Sequence, residues 1–215
     1  VDEHGVVTGW VSGEHIAVPT EPNEGNTRVS GARHGGMLCQ TETHCGLVVP
    51  KITDNASRFT MAVIYSPGVD AKSETLLTLN TAHPDVKKSD TNYLFLADRA
   101  EGIIAKDNRD TIEMQVPPQP TTNPRLLVIS LSEARLSLAQ NLASPIFVKG
   151  RNPEMESAAD LFIGCRSNRK GLKKTLGDSV IHEVIFWPDN ILLLPRNDDD
   201  RAQYEALKSF YFWEY

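Results

Sequence analysis

A basic segment near the C-terminal end of the chain carries five positive charges within nine positions, at Arg166, Arg169, Lys170, Lys173 and Lys174. The chain as a whole has a formal net charge of −6, so this cluster is a local excess of positive charge on an acidic protein. Clustered positive charge attracts anions, and arginine binds carboxylates and sulfates through two parallel hydrogen bonds. The segment therefore predicts a site for an acidic glycan. The alternative is a solvated loop whose lysines keep a sheet edge from pairing with other chains.

Aromatic side chains suggest a second kind of binding surface, because a sugar ring packs on an exposed apolar face that has polar neighbours. Tyr65, Tyr93 and Trp10 are the candidates, although each of them is also suited to a hydrophobic core. Tyr93 and Asp98 lie near the two ends of one apolar run. Together with the five basic residues, they are the residues that we expect to bind a ligand.

The carboxylates do not form the pattern that a glycoside hydrolase needs, which is two acids facing one bond. Glu154 and Glu156 have the spacing that places two side chains on one face of a strand, but they lie in a proline-containing loop. We therefore expect a non-catalytic binding module. The alternative is a polysaccharide-degrading hydrolase or lyase on the same fold as such a module. That enzyme would require four side chains to converge in one groove, those of His182, Glu183, Asp98 and Tyr93.

Metal-binding residue types occur in two sets. His34, Cys39, His44 and Cys45 are close in sequence, but their spacing lacks the paired elements of structural zinc sites, so we interpret them as loop residues. Calcium needs several oxygen ligands. The plausible contributors do not form a contiguous loop of the EF-hand type, and they are Asp98, Asp107, Asn108, Asp110 and Asp178.

Three cysteines are too few for a disulfide framework. Cys39 and Cys45 could close a small loop and leave Cys165 free, or all three could be reduced. Cysteine usage therefore leaves the compartment open.

The elements that would position these residues are mostly short strands. In the run 59–65, Phe59, Met61, Val63 and Tyr65 alternate and predict a strand with one buried face. For residues 125–142 we favour a hairpin over a helix. A short helix is predicted over about 199–208, capped by Asn197 or Asp198. The terminal run FYFWEY is predicted to dock as a last strand.

About a dozen short strands without strand–helix alternation predict an all-β fold. We expect a two-sheet antiparallel β-sandwich of the jelly-roll type, with a short helix near the C-terminus. No repeat, low-complexity tract or linker divides the chain, so residues 1–215 are expected to form one domain. The acidic net charge argues against nucleic-acid binding, and no apolar run is long enough to span a membrane.

Six segments of the chain form a series that is typical of one family. They are, in order, FTMAVIYSP, TLLTLN, YLFLADRAEGIIA, PRLLVISLSEARLSLAQN, LFIGCR and GDSVIHEVIFWPDNIL. This series resembles the concanavalin A-like lectin/glucanase superfamily in its laminin G-like and pentraxin-like branch. The resemblance covers about residues 55–215 and is best in the last two segments. It implies a lectin-like sandwich that binds a glycan or a glycosylated protein, in some relatives through calcium. It also implies an extracellular or cell-surface location, within a larger polypeptide. A structural or assembly domain of a surface or phage protein is the remaining alternative.

Overall fold

The computed structural model describes residues 1–23, 25–29, 34–39, 43–68, 74–82, 91–120, 124–168 and 179–215. Four of the five basic positions of the predicted site, Arg169, Lys170, Lys173 and Lys174, lie outside these ranges, as does Asp178. The strands within them are β1 (Trp10–Ser12), β2 (His15–Pro19), β3 (Asn26–Val29), β4 (Gly36–Cys39), β5 (Leu47–Thr53), β6 (Arg58–Ser66), β7 (Glu74–Asn80), β8 (Tyr93–Arg99), β9 (Gly102–Asp107), β10 (Glu113–Val116), β11 (Arg125–Ser132), β12 (Arg135–Gln140), β13 (Ile146–Lys149), β14 (Ala159–Ile163) and β15 (Val180–Pro188). One helix, α1 (Asp198–Glu214), follows them.

The strands form two antiparallel sheets that pack face to face. The eight-stranded sheet has the order β1-β2-β5-β14-β7-β8-β9-β10, and the seven-stranded sheet has the order β13-β12-β11-β6-β15-β4-β3. Neighbours in both sheets pair in the antiparallel direction. The predicted all-β, two-sheet sandwich with a C-terminal helix is therefore confirmed.

Strand β6 lies inside the seven-stranded sheet, between β11 and β15, and its two faces have different partners. Phe59, Met61, Val63 and Tyr65 are fully buried in the core between the sheets, as their alternation predicts. Ala62 and Ile64 point to the other face, where they pack under α1. Because β6 is covered on both sides, it reads as a continuous apolar run.

The predicted hairpin over residues 125–142 is confirmed, since β11 and β12 pair from Leu127 with Gln140 to Ser132 with Arg135. The two residues between these strands include Glu133, which adopts a positive φ of 55°. The local turn therefore overrides the helix-favouring composition of this stretch.

The terminal FYFWEY run is not a strand, and that prediction was wrong. These residues continue α1, whose N-terminus is capped by Asn197 as predicted, with the Asn197 side chain accepting a hydrogen bond from the Asp200 backbone N–H. Tyr204, Leu207 and Tyr211 follow helical spacing and are buried on the seven-stranded sheet. This apolar stripe extends the helix into the aromatic run, where the neighbouring side chains of Phe212 and Trp213 remain exposed.

An ion pair joins the two sheets inside the core. Asp98 of β8 accepts a hydrogen bond from the Arg125 guanidinium of β11 at 2.6 Å and another from the Tyr65 hydroxyl of β6 at 2.7 Å. The Asp98 and Arg125 side chains are 7% and 19% exposed. Burial and the neighbouring Asp98 charge raise the pKa of Tyr65, so its hydroxyl stays a donor. Asp98 therefore has a structural role here.

Replacing Asp98 with alanine is expected to lower the free energy of unfolding by about 3–5 kcal/mol, because Arg125 and Tyr65 would lose a buried partner. Glu154→Ala is the matched control, since Glu154 contacts Arg109 at the same 2.6 Å but is 70% exposed. We expect that control to cost less than about 1 kcal/mol. Urea unfolding of both variants measures the difference, and equal losses would contradict a role for the buried pair.

Replacing Leu207 with alanine is expected to lower the free energy of unfolding by about 2–4 kcal/mol, because the side chain is buried between α1 and the sheet. Trp213→Ala is the control in the same helix, because Trp213 is 72% exposed, and its effect is expected to stay within about 0.5 kcal/mol. Thermal melts followed by circular dichroism compare them. A larger loss in Trp213→Ala than in Leu207→Ala would show that the helix packs through another face.

Candidate functional site

The outer face of the eight-stranded sheet carries an aromatic cluster that is separate from the core. Phe95, Ala97 and Ile104 pack together there, with Tyr93 half-buried at their side. In the antiparallel register Phe95 lies opposite Thr78 of β7, and Tyr93 lies opposite Asn80. Paired residues point to the same side of a sheet. We call this surface the Phe95 face and define it by Tyr93, Phe95, Thr78, Asn80 and the residues that cover them.

Two arginine side chains cover the Phe95 ring. The Arg166 guanidinium carbon lies 3.8 Å from the ring centroid, and the Arg99 guanidinium carbon lies 5.7 Å from it. A guanidinium over an aromatic ring is attracted by the negative face of the ring. The Phe95 face therefore presents two positive charges on one apolar platform, and the ring itself is only 3% exposed.

Arg166 is held at both ends. Its Nε donates a hydrogen bond to the Thr75 hydroxyl at 3.1 Å, and its backbone carbonyl accepts one from the Asn80 amide at 3.2 Å. The Asn80 side chain is itself fixed, because its amide oxygen Oδ1 accepts a hydrogen bond from the Ala82 N–H at 2.8 Å. The stack on Phe95 and these bonds fix the direction in which the guanidinium points.

The other charges near this face are paired. Lys106 lies opposite Phe95 on β9 and contacts Asp110 at 2.6 Å and Glu113 at 3.3 Å. The hydrogen bond to Asp110 is the main reason that the pKa of Lys106 is raised. Arg99 contacts Glu101 at the longer distance of 3.8 Å. Two carboxylates therefore offset the Lys106 charge, and a third lies near Arg99.

The structure brings together only part of the predicted site. Arg166 and Tyr93 lie on either side of Phe95, whose ring is 6.2 Å from the Tyr93 ring. Asp98 points into the core, so it is not a neighbour of Tyr93 on this surface. Arg99 was missed, although it continues the period-two series of outward positions that begins at Tyr93.

The four residues whose convergence would favour a polysaccharide-degrading enzyme lie in three different places. Asp98 is between the sheets, and Tyr93 is on the Phe95 face. His182 lies beside Tyr215 on the outer face of the other sheet, with ring centroids 5.9 Å apart, and Glu183 interacts with Tyr215 there. Burial there raises the pKa of Glu183 and lowers that of His182. These four residues therefore form no common groove. Glu154 and Glu156 have the spacing of two acids on one face of a strand, but they contact Arg109 and Asn152 respectively.

Two of the side chains considered as metal ligands, His34 and Asp107, make other contacts in the structure. Within the described ranges, no group of three or more His, Cys, Asp or Glu side chains is placed to hold a metal ion. His34 stacks on Tyr215 with a centroid distance of 4.1 Å. Asp107 accepts hydrogen bonds from the N–H groups of Thr111 and Ile112 at 2.7 and 3.0 Å. Burial alone would raise the pKa of Asp107, but these bonds and one from Asn92 lower it.

None of the three cysteines forms a disulfide, so Cys39 and Cys45 do not close a loop. Cys39 and Cys45 are buried. Burial is the main reason that the pKa of Cys165 rises to about 12. Only a thiolate is a good nucleophile or metal ligand, and the raised pKa of Cys165 disfavours that form at neutral pH.

Trp10 lies at a cavity of about 410 Å³ between the two sheets. The walls combine apolar side chains of the core with polar groups at the rim, and they include Ser12, His15, Val49, Leu161 and Phe186. Trp10 packs against the core, and Tyr65 is fully buried. Of the three aromatic candidates for a sugar platform, Tyr93 is therefore the one on the outer face of a sheet.

In the described part of the chain, no helix has the length and apolar character needed to cross a membrane.

No protein-family model and no curated protein matches this sequence. Solved structures do match its fold. The sialidase of Trypanosoma rangeli, in a covalent complex with 2,3-difluorosialic acid, matches with a TM-score of 0.59 at 12% identity, over 98% of this chain and 33% of that one. Domain 4 of an extracellular arabinanase of glycoside hydrolase family 43 from Geobacillus stearothermophilus, in complex with arabinotriose, gives 0.53 at 10% identity, over 79% and 81%. Domains LG4-5 of the mouse laminin α1 chain give 0.50 at 11% identity, over 77% and 45%.

The chain thus spans about a third of the sialidase and most of the arabinanase domain. At such low identity the similarity concerns the fold and not the activity. The matches agree with the two antiparallel sheets of this chain. The chain has a sandwich of the concanavalin A-like fold, as the sequence resemblance implies.

Proposed function

We propose that this chain is a carbohydrate-binding module whose Phe95 face recognises an acidic glycan without catalysing a reaction on it. The observation that carries the proposal is the pair of guanidinium groups on the Phe95 ring, Arg166 at 3.8 Å and Arg99 at 5.7 Å. Arginine matches the planar geometry of carboxylate and sulfate groups, which are the anionic groups of acidic glycans. Tyr93 supplies an adjoining aromatic edge for the sugar ring.

Preorganisation favours Arg166 as the main contact. An arginine that is already stacked on a ring and bonded to Thr75 loses less side-chain entropy on binding than a flexible lysine does. Its position at the start of the basic segment places the remaining charges, Arg169, Lys170, Lys173 and Lys174, next to it in the chain. We propose that these four residues add long-range attraction of the anion to the contacts made by Arg166.

The similar structures support a role in carbohydrate recognition. The arabinanase domain was solved with arabinotriose, and the sialidase was solved with a sialic acid derivative. We propose that the partner of the present chain is likewise a glycan, free or on a glycosylated protein. The laminin and arabinanase matches also favour an extracellular or cell-surface location. Calcium remains a prediction from the family resemblance, and Arg166 and Arg99 could bind an anion without it.

A structural or assembly domain without a small ligand is the second candidate. A glycan array separates the two, because a binding module retains acidic glycans at low salt and an assembly domain retains none. The array is run with calcium and with a chelator, so that the same experiment measures whether the ion contributes. Retention of neutral glycans alone would point away from the arginines and toward Trp10 at the cavity between the sheets.

The combined change of Arg166, Arg169 and Lys170 to alanine is expected to abolish binding of an acidic glycan, and melting curves separate this loss from the stability that the Arg166 stack on Phe95 contributes. The reason is that these side chains carry the positive charge that we assign to the site. Isothermal titration with a uronic acid-containing oligosaccharide measures the loss. Binding that survives in this variant would exclude the basic segment as the site.

Arg166→Lys separates geometry from charge. Lysine keeps the positive charge but cannot stack as a planar group or donate in parallel, so affinity is expected to fall by about tenfold to a hundredfold. Arg201→Ala is the control, because Arg201 lies on α1 beyond the other sheet and its side chain is 61% exposed. The same titration should give wild-type affinity for that control. Equal affinity of Arg166→Lys and the wild type would mean that charge alone is recognised.

A further inference from the structure

A serine, a histidine and a backbone carbonyl form a continuous hydrogen-bonded chain on the seven-stranded sheet. Ser66 ends β6, and its Oγ is 2.9 Å from Nε2 of His182 on β15. The other ring nitrogen of His182, Nδ1, is 3.1 Å from the carbonyl oxygen of Gly35. His182 occupies the irregularity in the β15–β6 pairing between Ile181 and Glu183, where the register shifts by one residue. The extra residue directs the imidazole toward Ser66.

The partners determine the tautomer of the neutral ring. A carbonyl oxygen only accepts, so Nδ1 carries the proton and donates to Gly35. Nε2 is then the acceptor, and the Ser66 hydroxyl donates to it. This is the arrangement of a nucleophile, a general base and a group that orients the base. Burial lowers the pKa of His182, which favours the neutral imidazole at pH 7.

We propose that Ser66 and His182 form a second functional site, an esterolytic dyad that cleaves small carboxylic esters, with the Gly35 carbonyl as the positioning group. This site is separate from the Phe95 face, because it lies on the other sheet. It adds an acyl-transfer activity to a chain whose proposed glycan site does no chemistry.

The chemistry balances with water as the only co-reactant. The Ser66 Oγ attacks the ester carbonyl carbon while its proton passes to His182 Nε2. The tetrahedral intermediate collapses, the ester C–O bond breaks, and the leaving alkoxide takes the proton from His182. Water then loses a proton to Nε2 and attacks the acyl-serine. Breakdown of that second intermediate releases the carboxylic acid and returns the proton to Oγ.

One neighbouring feature supports this assignment. A Cβ on Gly36 would lie 3.0 Å from His182 Nδ1 and 2.8 Å from the Ile181 carbonyl, so glycine there permits the close approach of the two strands.

The test is a reaction of the intact chain with a fluorophosphonate probe, which captures activated serines, followed by peptide mapping. The expected result is covalent labelling of Ser66, together with hydrolysis of p-nitrophenyl acetate. Ser66→Ala and His182→Gln should each abolish the labelling and lower the hydrolysis rate by at least about a hundredfold. Ser157→Ala is the matched control, because Ser157 is also half-buried, and it should react as the wild type does.

Two glycine variants test the positioning of the base. Gly36→Ala should reduce labelling, because the methyl group would displace His182, whereas Gly35→Ala should not, since its Cβ would meet only the Val29 carbonyl at 3.4 Å. Melting curves accompany all variants. A wild-type protein that leaves Ser66 unlabelled, or a Ser66→Ala variant that hydrolyses the ester at the wild-type rate, overturns the proposal. Neither result depends on the folding of His182→Gln.

Discussion

The alternation of side chains along β8 connects the stability of the sandwich to its binding surface. Tyr93, Phe95 and Arg99 point outward, and Asp98 points into the core, where it pairs with Arg125 of the opposite sheet. A shift of this strand by one residue would move the ion pair to the surface and bury the arginine-covered ring. The Asp98–Arg125 ion pair that fixes the register of β8 therefore also keeps Phe95 on the outer face of the sheet.

Two sets of arginines have different roles in this acidic chain. Arg125 pairs with Asp98 inside the core, where its charge contributes to the contact between the sheets. Arg166 and Arg99 lie over the Phe95 ring on the outer face, and Arg99 also contacts Glu101 at 3.8 Å. Planar guanidinium groups fixed beside an aromatic edge match the carboxylate and sulfate groups of an acidic glycan, which is the physical basis of the proposed site.

Much of the fold could be predicted from the sequence because local patterns and burial agree in it. The alternation of Phe59, Met61, Val63 and Tyr65 and the cap at Asn197 both reappear in the structure. The terminal aromatic run could not be assigned from composition, because Phe and Tyr favour strands. It is helical because Tyr211 is buried against the sheet at helical spacing from Tyr204 and Leu207. The difference is tertiary packing, which outweighs local propensity.

The candidate site was predictable only in part. Arg166 and Tyr93 were identified by residue type, but their common contact with Phe95 depends on how β8 and the end of β14 are paired through β7. Long-range pairing of this kind has no local signature. Likewise, the contact between Ser66, His182 and the Gly35 carbonyl joins three segments that are far apart in the chain.

The central claim is that an acidic glycan contacts the two guanidinium groups on Phe95. The most direct measurement is a titration of the ¹⁵N-labelled protein with a uronic acid-containing oligosaccharide, followed through the arginine Nε–H resonances in NMR spectra. The account predicts saturable shifts of the Arg166 and Arg99 resonances, with the Arg201 resonance unchanged. Saturable binding that leaves the Arg166 and Arg99 resonances unmoved would contradict it.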